Sequence, residues 1–300
     1  MRQAMAISSR IGAHTIHASS ATIGNVANIQ YSDVVIAAGR QSIAPARRLA
    51  RRRDGPLPFV VVLQPVLWRP GDFDLLWAPT HDRAQRIVRG RVPLVETVTA
   101  PSTVTAHDMQ AAAEALSPAL AELTGPYVGV LVGGPSSAYR FGPAETAEFA
   151  NRLAAFANAH DVSVLVSTSG RTPPGAAAVF RRTLPAGRHF VFDAAEPGGL
   201  EPSDAYAAIL GLSDHFVVTS DSFAMMSEAA ATGKPIYGWR LPGGKAKFDR
   251  FHDSLVAHGA LRWFDGDLER WRYPPIDSAG TIAAAVRTGL DLADRTTQRI

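Results

Sequence analysis

Short β-branched runs alternate along this chain with longer Ala-rich stretches that place apolar residues at helical spacing. Asp33–Ala38 (D-V-V-I-A-A) predicts a buried strand, followed by Gly39 and a helix to about Arg52. Phe59–Leu63 and Phe73–Ala78 predict two more strands, and Arg91–Val98 a further short one. Ala106–Leu123 predicts a helix, which Thr124-Gly125-Pro126 ends. Then the rhythm restarts. Strands are predicted at Tyr127–Val132, Val162–Ser167, His189–Phe192, His215–Thr219, Pro235–Trp239 and Leu261–Phe264. Between and after them, helices are predicted at Pro143–His160, Pro173–Arg182, Asp204–Gly211 and Ser278–Arg299.

Continuous apolar strands separated by helices imply parallel sheets covered on both faces, hence an α/β protein. The break at Gly125 divides two such series. Two Rossmann-like, doubly wound domains are expected, 1–124 and 125–300, facing each other across a cleft. The closing helix, about 278–299, is free to pack back on the first domain. In such sheets ligands bind outside the carboxyl ends of the strands.

One stretch combines all of these signals. Val217–Trp239 (V-V-T-S-D-S-F-A-M-M-S-E-A-A-A-T-G-K-P-I-Y-G-W) reads as strand, polar turn, helix, glycine stop and strand. Ser220, Asp221 and Ser222 are helix N-cap residue types. Ala224–Ala231 favours helix, Gly233 fits a C-terminal cap, and Pro235 prevents continuation. A strand feeding a helix N-terminus offers free N–H groups and the positive end of the dipole to an anion such as a diphosphate. Glu228 falls within the helix among Ala and Met, where its carboxylate needs a partner; sugar hydroxyls would serve. Strand–loop–helix units are everywhere in α/β proteins, and most bind nothing.

Two other strand ends of the second domain are polar. Gly133-Gly134-Pro135-Ser136-Ser137 combines glycines that permit close backbone approach with hydroxyls. Ser167-Thr168-Ser169-Gly170-Arg171-Thr172 adds an arginine suited to a bidentate grip on phosphate. Neither the P-loop nor the G-x-G-x-x-G spacing is present, which disfavours Walker-type ATP hydrolysis and ordinary NAD binding. In the first domain, His81-Asp82 follows a predicted strand. His81 is a candidate general base for an acceptor hydroxyl, because imidazole titrates near neutrality, and Asp82 could orient it or act itself. Asp82 could equally cap a helix beginning near Arg83. Gln64-Pro65 and Gly39-Arg40 end neighbouring strands. His107, His160, His252 and His258 lack metal-ligand spacing and read as structural or exposed. Lys245 and Lys247 follow Gly243-Gly244 in what reads as a flexible loop, solvated or closing on a phosphate.

Composition narrows the classes. The chain has 300 residues, 46% hydrophobic and 19% charged, which is enough for a sizeable core. No run approaches the roughly 18–20 apolar residues that span a bilayer, and Met1–Arg10 lacks a signal-peptide core. A cytoplasmic location follows as the default. There is no cysteine, so disulfides and thiolate chemistry are excluded. The pI of 9.4 accompanies a formal net charge of only +3. Arg47, Arg48, Arg51, Arg52 and Arg53 form one dense cluster. It could meet phosphates or the surface of an anionic membrane, such as the inner membrane, or be a solvated helix end. No nucleic-acid-binding module is recognisable, so no nucleic-acid partner is expected.

D-V-V-I-A-A-G-R, A-P-T-H-D, V-G-V-L-V-G-G-P-S-S-A-Y-R and V-T-S-D-S-F-A-M-M-S-E-A-A-A-T-G-K-P resemble the family named after a plant mitochondrial-fission protein, whose bacterial branch is described as glycosyltransferases. The resemblance covers nearly the whole chain, with the motifs in the family's order. It implies a GT-B-like architecture with the donor nucleotide in the C-terminal domain. The E-A-x-x-x-G-x-P pattern at Glu228–Pro235 looks like the donor-ribose segment of that fold, with Glu228 accepting from ribose hydroxyls and Ser222 and its neighbours meeting the diphosphate. Gly133, Gly134, Ser136, Ser169, Arg171 and Asp221 would surround base and diphosphate. Neither metal nor cofactor is implied beyond the nucleotide-sugar donor, because helix dipole and basic residues can stabilise the leaving diphosphate. The acceptor would be a small molecule or lipid-linked and related to the cell envelope. Members usually begin with a strand and Gly-rich turn before the helix that reads Arg2–Ile11 here, so that first strand is expected to be missing. Two other functions remain open: a non-catalytic, membrane-peripheral adaptor, supported by the arginine cluster, and a sugar-nucleotide epimerase of the same two-domain shape.

Overall fold

β-Branched residues pack well on a pleated, half-buried surface, and the runs named above form strands. The computed structural model describes residues 2–11, 34–51 and 57–297. The chain's internal contacts divide it into two compact units, Met1–Thr103 with Asp277–Ile300, and Val104–Ile276.

The first unit opens with α1 (Arg2–Ile11) and β1 (Val34–Ala37). It continues through α2 (Ile43–Ala50), β2 (Phe59–Val62), β3 (Leu75–Pro79), α3 (Gln85–Val88) and β4 (Leu94–Thr97). Its four strands pair in parallel in sequence order, with Ile36 opposite Val61 and Trp77 opposite Val95. Val60, Val62, Leu76 and Phe73 form the buried centre with Ala46 of α2. The Trp77 indole N–H donates to the Thr97 hydroxyl at 2.9 Å, so a large buried ring carries no unpaired donor. The helix Ser278–Thr297 belongs to this unit. The Thr99 and Ser278 hydroxyls lie 2.6 Å apart, and a Cβ on Gly289 would come within 2.4 Å of the Phe59 ring. That glycine is required by close approach.

The second unit runs α4 (Ala106–Leu116), β5 (Tyr127–Leu131), α5 (Pro143–His160), β6 (Ser163–Ser167), α6 (Ala176–Thr183) and β7 (His189–Phe192). It then runs α7 (Pro202–Leu212), β8 (His215–Thr219), α8 (Phe223–Ala230), β9 (Ile236–Trp239), α9 (Ala246–Ala257) and β10 (Leu261–Trp263). The Ser278–Thr297 helix is α10. Six parallel strands are ordered β10-β9-β8-β5-β6-β7. Counted from β5, this is the 3-2-1-4-5-6 order of doubly wound sheets, and the winding reverses between β5 and β8. The α/β class with two Rossmann-like parallel sheets is therefore as expected from the sequence.

Several details differ from the expectation. The division expected at 124/125 falls at Thr103/Val104, because α4 packs on α7 of the second unit. A Cβ on Gly211 of α7 would meet the Met109 carbonyl oxygen at 2.6 Å, which measures how closely these helices approach. The helix expected to reach Leu123 ends at Leu116, and Ser117–Leu120, with Pro118 inside it, continues as a 3-10 turn. Lys245 and Lys247 do not belong to a flexible loop: Lys245 is the N-cap of α9 and Lys247 lies in its first turn. Arg52 and Arg53 lie outside the described residues.

Candidate functional site

At the winding reversal, the carboxyl ends of β5, β6 and β8 meet in one hydrogen-bonded network. The Gly133 N–H donates to the Thr219 hydroxyl at 2.8 Å, and the Gly134 N–H to Asp221 Oδ2 at 3.0 Å. Arg171, from the loop after β6, donates through Nη2 to Asp221 Oδ2 at 2.8 Å and through Nη1 to the Gly134 carbonyl at 3.2 Å. The Thr172 hydroxyl reaches the Gly133 carbonyl at 2.7 Å, and Ser169 Oγ accepts from the Arg171 N–H at 3.3 Å.

This network explains the paired glycines. A Cβ on Gly133 would stand 2.4 Å from both Asp221 carboxylate oxygens, and one on Gly134 would stand 1.9 Å from the Arg171 carbonyl oxygen. Both positions must be glycine for the strand ends to close on one another. The close backbone approach that the glycines permit is to Asp221 and Arg171. The Asp221 side chain is fully buried, and its Oδ1 has no hydrogen-bond partner among the described residues. Arg171 keeps 48% of its side chain exposed. A buried carboxylate needs a paired charge, so Arg171 compensates Asp221 with one edge and presents the remainder to solvent.

Two loops brace this edge. Ser136 Oγ accepts from the Ala138 and Tyr139 N–H groups at 3.1 and 3.2 Å, which fixes the turn after Gly134. The Arg140 N–H donates to the Pro242 carbonyl at 2.9 Å and the Gly244 N–H to the Ala138 carbonyl at 2.7 Å, binding the β5–α5 loop to the β9–α9 loop. Lys245 Nζ donates to Ser137 Oγ at 3.2 Å.

The β8 end feeds α8. Ser222 Oγ accepts from the Met225 N–H at 3.4 Å, the capping role its residue type implied. Ser220 Oγ accepts from the Leu241 N–H at 3.0 Å, and its carbonyl lies 3.1 Å from His252 Nε2. That nitrogen must carry hydrogen to donate. Burial holds the His252 pKa below its ordinary 6.5, favouring the neutral ring. Glu228 finds a partner within the chain: the Tyr206 hydroxyl donates to its Oε2 at 2.6 Å. Burial first, and then the Glu228 charge, push the Tyr206 pKa well above its ordinary 10.0. Tyr206, on α7, was not singled out from the sequence; Thr172 and Thr219 belong to the strand ends already noted, and His252, read there as structural or exposed, is buried against the Ser220 carbonyl.

In the first unit, His81 and Asp82 form a 3-10 turn directly after β3, and Arg83 follows in the left-handed region. His81 is 4% exposed, and its Nε2 lies 3.7 Å from Asp82 Oδ1, within ion-pairing range for a protonated ring but beyond a hydrogen bond. Asp82 does not cap α3, whose N-cap is Ala84. Gln64 Nε2 and Thr80 Oγ1, at the same carboxyl edge, are buried without a hydrogen-bond partner among the described residues. The described residues hold no group of three or more His, Asp or Glu able to bind a metal, and no helix among them is long and apolar enough to cross a membrane.

A family model described as mitochondrial fission ELM1 matches residues 3–290. The mitochondrial fission protein ELM1 of Arabidopsis thaliana is 31% identical over 284 residues, covering 87% of this chain and 64% of that protein. An uncharacterized protein of Rickettsia prowazekii (strain Madrid E) is 24% identical over 170 residues, covering 55% and 47%. The chain thus spans less than two thirds of the length of either relative. Among solved structures, UDP-GlcNAc 2-epimerase from Methanocaldococcus jannaschii is similar with a TM-score of 0.55 and 12% identity, over 94% of this chain and 87% of that one. At that identity the likeness is one of fold, and it agrees with the GT-B-like pair of Rossmann-like units expected from the sequence.

Proposed function

The chain belongs to the mitochondrial fission ELM1 family, and from that premise we propose that it is a glycosyltransferase that binds a nucleotide-sugar at the carboxyl edge of its second sheet. The observation that carries this reading is the winding reversal between β5 and β8, with hydroxyl-rich strand ends and a half-exposed arginine around it. In doubly wound sheets that crevice is where nucleotides bind. The α8 N-terminus and the outer edge of Arg171 meet the diphosphate, while Gly133, Gly134, Ser169 and Asp221 hold Arg171 and its loop in place and Ser136 fixes the turn beside them. Ser222 fixes the helix start, and Glu228, oriented by Tyr206, accepts from the ribose hydroxyls. Arg171 and the helix dipole offset the charge of the departing diphosphate, so the reaction proceeds without a metal. In the first unit, His81 is the base for the acceptor hydroxyl, with Asp82 beside it. The acceptor oxygen bonds to the anomeric carbon as the bond to the diphosphate breaks, and the hydroxyl proton passes to the base.

Similarity to a UDP-GlcNAc 2-epimerase favours a second reading in which the bound nucleotide-sugar is interconverted without an acceptor. A thermal-shift panel of UDP, GDP, CMP, ADP and their sugars, on wild type and Glu228→Ala, tests the shared premise. A ligand that binds only the folded state must raise the melting temperature. A shift with one nucleotide, lost in the variant, supports the site. Incubating the stabilising nucleotide-sugar without acceptor then separates transferase from epimerase. No shift with any member of the panel would leave the non-catalytic adaptor as the better account.

A further inference from the structure

The loop between β2 and β3 exposes Leu67 and Trp68, at 78% and 61%. They are the only adjacent pair of exposed large apolar side chains among the described residues. Trp68 is flanked by cations. The Arg47 guanidinium lies 4.8 Å from the ring centroid and that of Arg69 4.7 Å away. Arg47 also donates to the Trp68 carbonyl at 2.6 Å, tying the loop to α2. Arg69 itself is in the left-handed region with φ 48°, immediately before Pro70. Both the side chain and the following proline disfavour that conformation, which persists only where its surroundings impose it.

Arginines outnumber carboxylates around this tip. Arg47 and Arg51 both pair with Asp72, whose side chain is 13% exposed. Arg48 and Arg69 are exposed, and Arg51 keeps 45% of its side chain in solvent. Arg47 and Arg69 therefore flank Trp68, with Arg48 and Arg51 beside Arg47 in the chain, while the loop's two carboxylates are Asp72, shared by Arg47 and Arg51, and Asp74, which accepts from the Val60 N–H at 2.7 Å. Arg47 and Arg51 of the cluster noted in the sequence are thus engaged within the fold, and Arg48 stays exposed. Two side chains are too few for the core of a stable protein–protein interface, which needs about 800 Å² from each partner. They suit a bilayer boundary, where an indole sits at headgroup level and arginines meet lipid phosphates.

We propose that Leu67 and Trp68 insert into the interfacial layer of an anionic membrane, with Arg48, Arg51 and Arg69 binding lipid phosphates and Arg47 bracing the tip. This contact is independent of the nucleotide site. The test is co-sedimentation of the full chain with vesicles of phosphatidylcholine alone or mixed with phosphatidylglycerol, with tryptophan emission as a second readout. Binding to the mixed vesicles, weakened by salt, with a blue shift of emission, is expected. Arg69→Ala should weaken partitioning about fivefold, and the double variant Leu67→Ser/Trp68→Ser about tenfold or more while removing the blue shift. Both variants change exposed side chains, and an unchanged melting temperature would verify folding. No binding to mixed vesicles, or equal binding by Leu67→Ser/Trp68→Ser, overturns the proposal. Unchanged nucleotide-induced thermal shifts in these variants keep its failure distinct from failure of the transferase reading.

Discussion

Replacing Arg171 by Ala strands the Asp221 carboxylate. Asp221 Oδ2 would retain only the Gly134 N–H at 3.0 Å, and Oδ1 already has no partner among the described residues. Breaking a fully buried pair costs about 3–5 kcal/mol. Here the guanidinium is 48% exposed, so water can partly replace it, and the expected cost falls to about 2–3 kcal/mol. Urea unfolding monitored by tryptophan fluorescence measures this, since Trp239, 9% exposed, reports on the second unit. Adding Asp221→Asn in the Arg171→Ala background removes the stranded charge while keeping its shape. The double variant should then be more stable than Arg171→Ala alone. A loss below about 0.5 kcal/mol for Arg171→Ala, or no recovery in the double variant, would refute the claim that Arg171 supports Asp221. The arginine would then be wholly available to a ligand.

Three other outcomes are expected. Gly134→Ala drives its Cβ against the Arg171 backbone carbonyl and should cost about 3 kcal/mol or more by denaturant unfolding, whereas Gly170→Ala, with nothing within 4 Å, should stay within about 0.5 kcal/mol of wild type. The His252 pKa is depressed in the fold by burial, so the unfolded chain binds more protons as pH falls; melting temperature should drop as pH decreases through 6.5, and His252→Gln should flatten that slope. Tyr206→Phe removes the hydrogen bond to Glu228 and should cost about 1.5–3 kcal/mol of stability. If Glu228 holds the ribose, the same variant should also reduce the nucleotide-induced thermal shift; an undiminished shift would separate Tyr206 from the site.

Local pattern made most elements legible. α5, β7 and β8 begin and end where their residues implied, because each combines a clear period with punctuation at both ends. α9 was missed although Phe248, Phe251 and Leu255 recur at helical spacing; the preceding glycine pair made the segment look like loop. The polar strand ends were legible as candidates, but their partners were not. Gly133 meets Thr219 across 86 residues and Arg171 meets Asp221 across 50. Those pairings depend on β5 lying beside both β6 and β8, a property of sheet order that no local window contains. For the same reason Glu228 seemed to need a ligand as its partner until Tyr206 was seen on the preceding helix. Asp82 looked like a cap because its residue type permits one, but the left-handed Arg83 intervenes before α3 begins.

The assignment of α10 to the first unit makes that unit discontinuous in the chain, with the second inserted between Thr103 and Asp277. During synthesis the inserted unit is complete as soon as Ile276 has emerged, while the first still lacks the helix that covers Phe59 and receives the Thr99 hydroxyl. The first unit is therefore the last to close, although its residues are made first. A nascent chain halted at Asp277 should carry a protease-resistant second unit and a susceptible first one, so the stretch made after the inserted unit decides when the earlier sheet is sealed.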